Sequence, residues 1–325
     1  MKPTIKKIAD LAGLTHATVS MVLNNKPGPS LKTKEKVLKI ANELGYVPDI
    51  NARNLAKGTS NTLGVFLLNF PENKKDRIFY YYMEFFQDLI IEARKKGYNI
   101  LFYTDQDNTR SKISYAEFCR EQNLKTAIFL GMNKEDENLE CLKKLKTTQV
   151  ILFDIEDTKN CNTIISDSSQ GIKEMYNFLL NKKVENLAII SGTENAEIAT
   201  QKKIKELNYF SKKAKINIDY FQGDFLYNSA YEIGKNININ NYEAVFAMND
   251  AMAVGFADAL RDRGFSPQND YILIGFDNLA VTEIISPKIH SIAHDNLKII
   301  ESIFDIINHK EKMQQIFVPT KFIEK

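Results

Sequence analysis

Eight short apolar runs, separated by amphipathic helical stretches, fill most of the sequence after residue 62. The runs occupy residues 63–68, 99–103, 127–130, 150–153, 186–190, 216–220, 244–247 and 271–275. The helical stretches include 80–96, 168–182, 227–237, 250–263 and 294–308. Runs that are apolar on both faces, with helices between them, are typical of buried parallel strands in βαβ units. Their number is enough for two open sheets, so the pattern predicts an α/β body.

Residues 1–46 have a different pattern, which predicts three short helices. Thr4, Thr15 and Ser30 are candidate N-caps, because a side-chain oxygen there can accept a hydrogen bond from the first helical turn. Gly13 is expected to end the first helix and Gly45 the third. The residues expected to face inward are Ile5, Ile8, Ala9, Leu11, Ala12, Val19, Val22, Leu23, Val37, Leu38, Ala41 and Leu44.

The first two of these helices have the spacing of a helix-turn-helix. Ala9 is small enough for close helix packing, Gly13 can adopt the positive φ of the turn, and Val19 can fill the core between the helices. The second helix would then expose Thr15, His16, Ala17, Thr18, Ser20, Met21 and Asn24. Such a helix fits the major groove of DNA. The same pattern also fits a helical hairpin that is packed for structure only.

Charge is distributed unevenly along the chain. Residues 1–60 contain ten basic and four acidic side chains, whereas the remainder contains 33 basic and 37 acidic ones. A basic head on a mildly acidic body favours a module that binds a polyanion, although a solvated basic surface gives the same balance.

Residues 47–61 connect the head to the body. Asp49 could cap one short helical turn over residues 50–56, which Gly58 would end. A segment this short is not a stable helix by itself in water, so we expect it to fold only against a partner.

Several classes of protein are not supported by the sequence. No apolar run approaches the roughly 18 residues of a membrane helix, and no apolar segment follows the first residues as in a secretory signal. Cys119, Cys141 and Cys161 are too few and too widely spaced for a disulfide framework or a cysteine zinc site. These features lead us to expect a protein of the reducing cytoplasm.

Motifs of the common enzyme classes are missing from the sequence, which has no P-loop, dinucleotide-binding, nucleophile-elbow or zinc-protease signature. Four acids, Asp154, Asp167, Asp250 and Asp277, could in principle supply an acid pair. We nevertheless expect no enzyme, with no catalytic residue, no metal and no cofactor.

Specific motifs along the whole chain resemble the lactose-repressor (LacI/GalR) family of bacterial transcriptional regulators. In the head these are residues 8–15 (IADLAGLT), 17–20 (ATVS), 22–24 (VLN), 33, 35–38 (EKVL) and 44–48 (LGYVP). The segments 52–55 (ARNL) and 63–65 (LGV) resemble the hinge and the first core strand of the family. In the body they are residues 96–98, 167 with 171, 223–225, 249–255, 274–278 and 318–320.

The resemblance implies an architecture and a function. The family has a helix-turn-helix head (residues 1–46 here), a hinge helix (47–61), and a periplasmic-binding-protein-like body of two doubly wound subdomains (62–325). Matching the motifs puts the N-subdomain at about 62–157 and 290–314, and the C-subdomain at about 158–289 and 315–325. We accordingly expect a homodimeric repressor that binds a palindromic operator under control of a small molecule. The alternative is a cytoplasmic solute-binding receptor without operator function.

The resemblance also implies which residues contact DNA. They are Thr4, Thr15, His16, Ala17, Thr18, Ser20, Met21, Asn24, Thr33, Arg53 and Leu55. Leu55 would be the apolar wedge that enters the minor groove, where a leucine partly unstacks the bases and bends the duplex. Met21 stands where members of the family often carry an arginine, and it has no bidentate contact to offer guanine. His16 can contact either a base or a phosphate.

The residues implied to bind the effector are Tyr81, Tyr82, Thr200, Phe225 and Asp250. An aromatic ring and a carboxylate acceptor suit a sugar, a sugar phosphate or a nucleobase-like effector. The two tyrosines could instead be ordinary helix packing, and Asp250 could only cap the helix that follows. Thr200 stands where many members carry an arginine, with Lys202 and Lys203 nearby, so either a lysine substitutes, or the effector differs, or the pocket is degenerate.

Overall fold

The computed structural model describes residues 3–24, 26–46, 61–68, 79–104, 113–132, 136–155, 161–192, 198–309 and 313–325. The chain forms two compact units, residues 1–60 and residues 61–325, which we call the head and the body. The predicted hinge turn over residues 50–56 lies outside the described residues. Within the described ranges, no helix is both long and apolar enough to span a membrane.

The head contains three helices, as predicted: α1 (Ile5–Ala12), α2 (His16–Leu23) and α3 (Leu31–Glu43). Each of the three predicted caps is confirmed, since the side chains of Thr4, Thr15 and Ser30 accept hydrogen bonds from the backbone N–H groups three residues later. Gly13 ends α1 with φ +61°, where a side chain would be strained. These local rules therefore determine where the helices begin and end.

The head core contains Ile8, Ala9, Ala12, Val19, Val22, Val37 and Ala41. Leu11 and Leu38, which the sequence pattern placed inside, are 58% and 49% exposed. The prediction was wrong for these two leucines because an α-helix turns by about 100° per residue, so each lies to one side of the buried stripe on its helix.

The body alternates strands and helices. Its strands are β1 (Thr62–Leu67), β2 (Asn99–Thr104), β3 (Thr126–Leu130), β4 (Gln149–Phe153), β5 (Asn162–Asp167), β6 (Asn186–Ser191), β7 (Asn217–Gln222), β8 (Ala244–Ala247), β9 (Ile272–Asp277), β10 (His290–Ala293), β11 (Gln315–Pro319) and β12 (Lys321–Ile323). Its helices are α4 (Phe79–Lys95), α5 (Tyr115–Glu121), α6 (Asn138–Lys143), α7 (Ser169–Asn181), α8 (Ile198–Ala214), α9 (Tyr227–Asn236), α10 (Asp250–Asp262), α11 (Val281–Ile284) and α12 (Asn296–Asn308).

The strands form two sheets of six. The first has the order β11-β5-β4-β3-β1-β2 and the second β12-β10-β9-β8-β6-β7. Every pairing is parallel except that of β12, which runs antiparallel to β10. All eight predicted runs are strands, which confirms the two-sheet α/β body.

Burial on both faces explains why the strand sequences are continuously apolar. Along β1, Leu63 and Val65 pack with α4 and α12, whereas Phe66 belongs to the cluster that includes α5 and α6. The second sheet has its own core, in which α7 and α10 pack on β6 and β8. We call each sheet, with the helices packed on it, a subdomain.

The chain crosses between the subdomains three times, at residues 167–169, 293–296 and 319–321. This corrects the predicted subdomain boundaries. β5 and β11 belong to the first sheet, not the second, and β10 belongs to the second, not the first. β5, β10 and β11 are not among the eight predicted runs, so each predicted boundary falls on the wrong side of a strand.

Candidate nucleic-acid interface and ligand site

The N-terminal end of α2 presents a small exposed surface on the head. Thr15 accepts a hydrogen bond from the Thr18 N–H at 3.2 Å, and the two hydroxyl oxygens lie 2.9 Å apart. His16 and Ala17, between them, are exposed. The first residues of a recognition helix are those that reach base edges in the major groove. The geometry of α2 therefore suits DNA reading by its first turn.

The C-terminal end of α2 is held more firmly. The Asn24 amide donates to the Ser20 carbonyl at 2.8 Å and lies 3.3 Å from the Ser20 hydroxyl. Met21 packs against the following loop, because a Cβ added to Gly28 would lie 2.8 Å from the Met21 Cε atom. These contacts hold Ser20, Met21 and Asn24 in place at the end of α2. The three side chains therefore position the helix at least as much as they are available to contact DNA bases.

The remaining DNA contacts stay predictions, and the structure shows the local contacts of two of them. Thr4 caps α1, and the Thr33 hydroxyl lies 2.9 Å from that of Ser30, so both hold helix starts on the head surface. Arg53 and Leu55 lie outside the described residues. The exposed cations of the described head are Lys6, Lys7, Lys26, Lys32, Lys36 and Lys39.

In the body, the carboxyl ends of strands from both sheets bring polar side chains to the region of the crossings. We call this region the inter-subdomain site; it comprises Ser166, Asp167, Ser191, Asp277 and His294 at strand ends, with Asp154, Lys203, Phe225 and Glu84 around them. Carboxyl ends of parallel strands are where α/β folds bind small polar ligands. The site therefore has the position that a ligand cleft requires.

Phe225 lies at the carboxyl end of β6. A Cβ added to Gly192 would lie 2.0 Å from the Phe225 ring, so only a glycine leaves room for the aromatic side chain. Phe225 has a positive φ of 68°, and its carbonyl accepts a hydrogen bond from the Asn249 amide at 2.8 Å. The ring is thus held in place by its neighbours, as a stacking platform needs to be.

Asp250 is fully buried and has both carboxylate oxygens engaged. One accepts from the Ser291 hydroxyl at 2.7 Å and the other from the Leu279 N–H at 2.6 Å. Burial, and the negative charge of Asp277, raise the pKa of Asp250. The side chain that caps α10 is that of Asn249, which accepts from the Met252 N–H at 2.9 Å. Asp250 therefore holds the loop after β9 and has no exposed surface for a ligand.

Asp277, at the end of β9, stays partly accessible, with 14% of its side chain exposed. Its Oδ1 lies 3.3 Å from the Nε2 atom of His294. Burial raises the pKa of Asp277 to about 7; the Lys203 cation acts against this rise and Glu84 adds to it. Burial and Lys203 lower the pKa of His294 to about 3, against the effect of Asp154.

Both lysines after Thr200 are engaged. The Lys203 ammonium lies 3.6 Å from the centre of the Phe276 ring, and the Lys202 ammonium lies 3.5 Å from Asp167 Oδ1. Burial would raise the pKa of Asp167, but hydrogen bonds from Ser169 and the charge of Lys202 outweigh it and lower that pKa. Thr200 is buried on α8. Lys203, rather than Thr200, is the residue beside Asp277.

Tyr81 and Tyr82 lie on α4, but their side chains are outside the described part of the chain. The neighbouring Glu84 accepts a hydrogen bond from the Ala280 N–H at 2.8 Å, which brings α4 of the first subdomain to the loop after β9 in the second. Glu84, His294 and Ser166 had no role predicted from the sequence. Asp277 had a signal in the motif 274–278, but nothing along the chain distinguished it from Asp250.

The chain is similar to known families and proteins. Residues 4–49 match the family described as bacterial regulatory proteins, lacI family, and residues 176–325 match the periplasmic binding protein-like domain. Catabolite control protein A of Priestia megaterium is 28% identical over 90% of this chain and 87% of its own length. The probable HTH-type transcriptional repressor ExuR of Bacillus subtilis is 27% identical, over 98% of this chain and 96% of its own.

Solved structures share the fold. A lac repressor dimer bound to operator and the anti-inducer ONPF superposes with a TM-score of 0.82 at 18% identity, covering 100% of this chain and 98% of that one. The complex of the regulator CelR with cellobiose gives 0.68 at 19% identity, with 99% of each chain covered.

A helix-turn-helix head followed by a two-sheet α/β body with a site between its subdomains defines a ligand-responsive DNA-binding regulator. The head matches the lacI family of bacterial regulatory proteins, and the relatives named above are transcriptional regulators.

Proposed function

We propose that the protein is a repressor that binds a palindromic operator as a homodimer and responds to an uncharged, hydroxyl-rich effector in the inter-subdomain site. The observation that carries the DNA-binding part is the exposed first turn of α2, at Thr15, His16 and Ala17, on a head with six exposed lysines. Lysines around a recognition helix neutralise backbone phosphates and position the helix over the bases.

The homodimer is supported by an apolar surface on the first subdomain. Its exposed large side chains on α4 and the edge strand β2 are Met83, Ile90, Ile91, Leu101 and Phe102, which are 41–53% exposed. An edge strand with exposed apolar side chains is normally covered, because it otherwise promotes aggregation. A second copy of the chain is the occupant that a palindromic operator requires, since two heads then read two half-sites.

The class of effector follows from the charges of the described site. It contains the acids Glu84, Asp154, Asp167 and Asp277, and its lysines are already engaged, Lys202 with Asp167 and Lys203 with the Phe276 ring. Four acids against two lysines give this group of residues a net negative charge, which disfavours an anionic ligand. A sugar can stack on Phe225 and donate hydroxyl hydrogen bonds to Asp277, which favours a neutral sugar over a sugar phosphate.

The DNA-binding part is tested by incubating the full-length protein with a random DNA pool and sequencing the retained fraction. We expect enrichment of a palindrome with two half-sites. The variant His16→Ala should change the enriched half-site or weaken its retention, whereas His309→Ala, the same substitution at an exposed position of the body, should leave both unchanged. A pool that shows no enrichment, alone and with each sugar of the panel below, would favour the solute-receptor alternative.

The effector part is tested by thermal shift with an external dye, since the chain has no tryptophan. The panel compares neutral sugars (D-glucose, D-ribose and cellobiose) with hexose phosphates and nucleobases. Stabilisation by a neutral sugar, lost in Phe225→Ala, is the expected result. Stabilisation by the phosphates alone would contradict the proposed effector class.

A further inference from the structure

The imidazole of His294 joins the two subdomains. His294 follows β10 at the second crossing, and its Nδ1 lies 2.5 Å from the hydroxyl oxygen of Ser166, near the end of β5 in the first sheet. Its Nε2 lies 3.3 Å from Asp277 Oδ1, at the end of β9 in the second sheet. One ring therefore bridges the carboxyl edges of both sheets, beside the residue that we assign to effector contact.

The surroundings favour a neutral imidazole. Only 8% of the His294 side chain is exposed, and the ring packs edge-on against Phe276, 5.1 Å between centres. The charged groups that face the pair are Lys203 from α8, Asp154 after β4, Glu84 from α4 and Asp250 from α10. The Asp154 carboxylate is itself engaged, because it accepts from the Ser166 N–H at 2.8 Å.

A neutral imidazole between a hydroxyl and a carboxyl group has two possible arrangements of protons. When Asp277 is ionised, Nε2–H donates to Asp277 and the Ser166 hydroxyl donates to Nδ1. When Asp277 is protonated, its hydroxyl donates to Nε2, and Nδ1–H donates to Ser166. The two arrangements differ by one proton in total: the Nε2 proton passes to Asp277 Oδ1, and a proton from solvent takes its place on Nδ1.

We propose that Ser166, His294 and Asp277 form a proton-linked latch across the two subdomains, in which uptake of one proton inverts the imidazole tautomer and converts the effector-contacting carboxylate to a neutral acid. The effect on the effector rests on the proposed function, whereas the latch does not. An effector hydroxyl donates a stronger hydrogen bond to a carboxylate than to a neutral acid, so effector binding expels the proton and is weaker at low pH.

The direct test is nuclear magnetic resonance of the full-length protein labelled at histidine, with no DNA or effector present. The chain has four histidines, and His294→Gln assigns the signal of interest by its loss. We expect the protonated nitrogen of His294 to change from Nε2 at about pH 9 to Nδ1 at about pH 5.5, with a midpoint near the Asp277 pKa of about 7. A tautomer that is the same across this range, or conversion of His294 to an imidazolium, would overturn the latch.

Two variants identify the titrating group. In Asp277→Asn, which keeps the shape of the side chain but cannot ionise, the His294 tautomer should no longer change with pH. Asp305→Asn, at an exposed position on α12, should behave as the wild type. A pH-dependent tautomer that persists in Asp277→Asn would assign the proton to another group and contradict the proposal.

A second measurement does not depend on resonance assignment. A group whose pKa is raised on folding stabilises the folded state most below its ordinary pKa, and this stabilisation is lost as pH rises through the folded pKa. The urea midpoint of the wild type should therefore decrease more steeply between about pH 4 and pH 7 than that of Asp277→Asn. Equal slopes in the two proteins would overturn the assignment of the proton to Asp277.

The link to the effector is measured last, with a neutral sugar that stabilises the protein in the thermal-shift panel. Calorimetric titration near pH 7 in two buffers of different ionisation enthalpy should show release of up to one proton, absent in Asp277→Asn. Binding without proton release would refute the effector link and leave the latch standing. If no sugar binds while the tautomer still inverts, the failure lies in the proposed effector class and not in the latch.

Discussion

At the scale of single residues, we expect two neighbouring acids to have different roles. Asp250 stabilises the fold, and Asp277 contacts the ligand. Asp250→Ala leaves the Leu279 N–H and the Ser291 hydroxyl without their buried partner. Each unsatisfied buried group costs about 1–3 kcal/mol, so the loss of two partners should lower the free energy of unfolding by roughly 2–6 kcal/mol. Urea denaturation followed by circular dichroism measures this loss. Wild-type stability in Asp250→Ala would show that the carboxylate is not the anchor of the loop.

The substitution Gly192→Ala tests whether the Phe225 ring is the stacking platform for the ligand. A methyl group at this position would lie 2.0 Å from the Phe225 ring, so Gly192→Ala must displace the ring from the end of β6. Effector affinity should fall at least as far as in Phe225→Leu, which keeps an apolar side chain but removes the stacking face. The affinity is measured by titration with the sugar that passes the thermal-shift panel, and an unchanged affinity in Gly192→Ala would place the ligand away from Phe225.

The contrast between Asp250 and Asp277 also shows what the sequence alone could not decide. Both acids follow a buried strand, so their position in the pattern is the same. What distinguishes them is that Asp250 bonds to Leu279 and Ser291, which lie 29 and 41 residues away along the chain. The helix caps of the head, by contrast, join residues three apart, and local rules predicted all three of them correctly.

At the scale of elements, the hinge segment carries a prediction that rests on the sequence, because residues 47–60 lie outside the described ranges. Leu55→Ala removes the apolar side chain that is expected to wedge between base pairs. Operator affinity should fall while effector affinity is kept, because the wedge contributes only to the bent complex with DNA. Gel-shift titration of the selected operator measures the first, and thermal shift with the sugar measures the second. An operator affinity of Leu55→Ala equal to that of the wild type would show that Leu55 does not insert between base pairs.

Two physical causes explain which strands were absent from the eight predicted runs. β10 (HSIA) has two polar residues among its four and β12 (KFI) has only three residues, so neither gives the continuous apolar run that the equally short β8 (AVFA) gives. β5 has a longer apolar stretch, but it pairs with β4 and with β11, which lies about 150 residues further along the chain. The sheet to which a strand belongs depends on the strands that pair with it, and these can be distant in sequence. The strands were therefore predicted better than the subdomain boundaries.

At the scale of the whole molecule, we expect the apolar surface of α4 and β2 to form the interface of the homodimer. Ile90, a residue of this surface that is 45% exposed, should not tolerate a charge if a second copy covers it. We expect Ile90→Lys to give monomers in sedimentation velocity, because burying an unpaired ammonium is unfavourable. Leu297→Lys, at a residue 61% exposed on α12, is the matched control and should stay dimeric. A dimeric Ile90→Lys protein would move the interface elsewhere.

Dimerisation and head charge together determine how operator binding depends on salt. Each phosphate neutralised by a lysine or arginine contributes about −0.9 to the slope of log affinity against log salt concentration. Two heads, each with six exposed lysines, should therefore give a steep slope, with affinity falling by about 10³–10⁵ between 50 and 200 mM salt for 6–10 phosphate contacts.

In the monomeric variant Ile90→Lys, where each head binds DNA alone, the slope should be about half as steep, because half as many counterions are released per binding event. Fluorescence anisotropy of labelled operator across this salt range measures both slopes. A shallow slope in the wild type would mean that the lysines of the head do not face the DNA, and equal slopes in the two proteins would mean that one head makes all of the contacts.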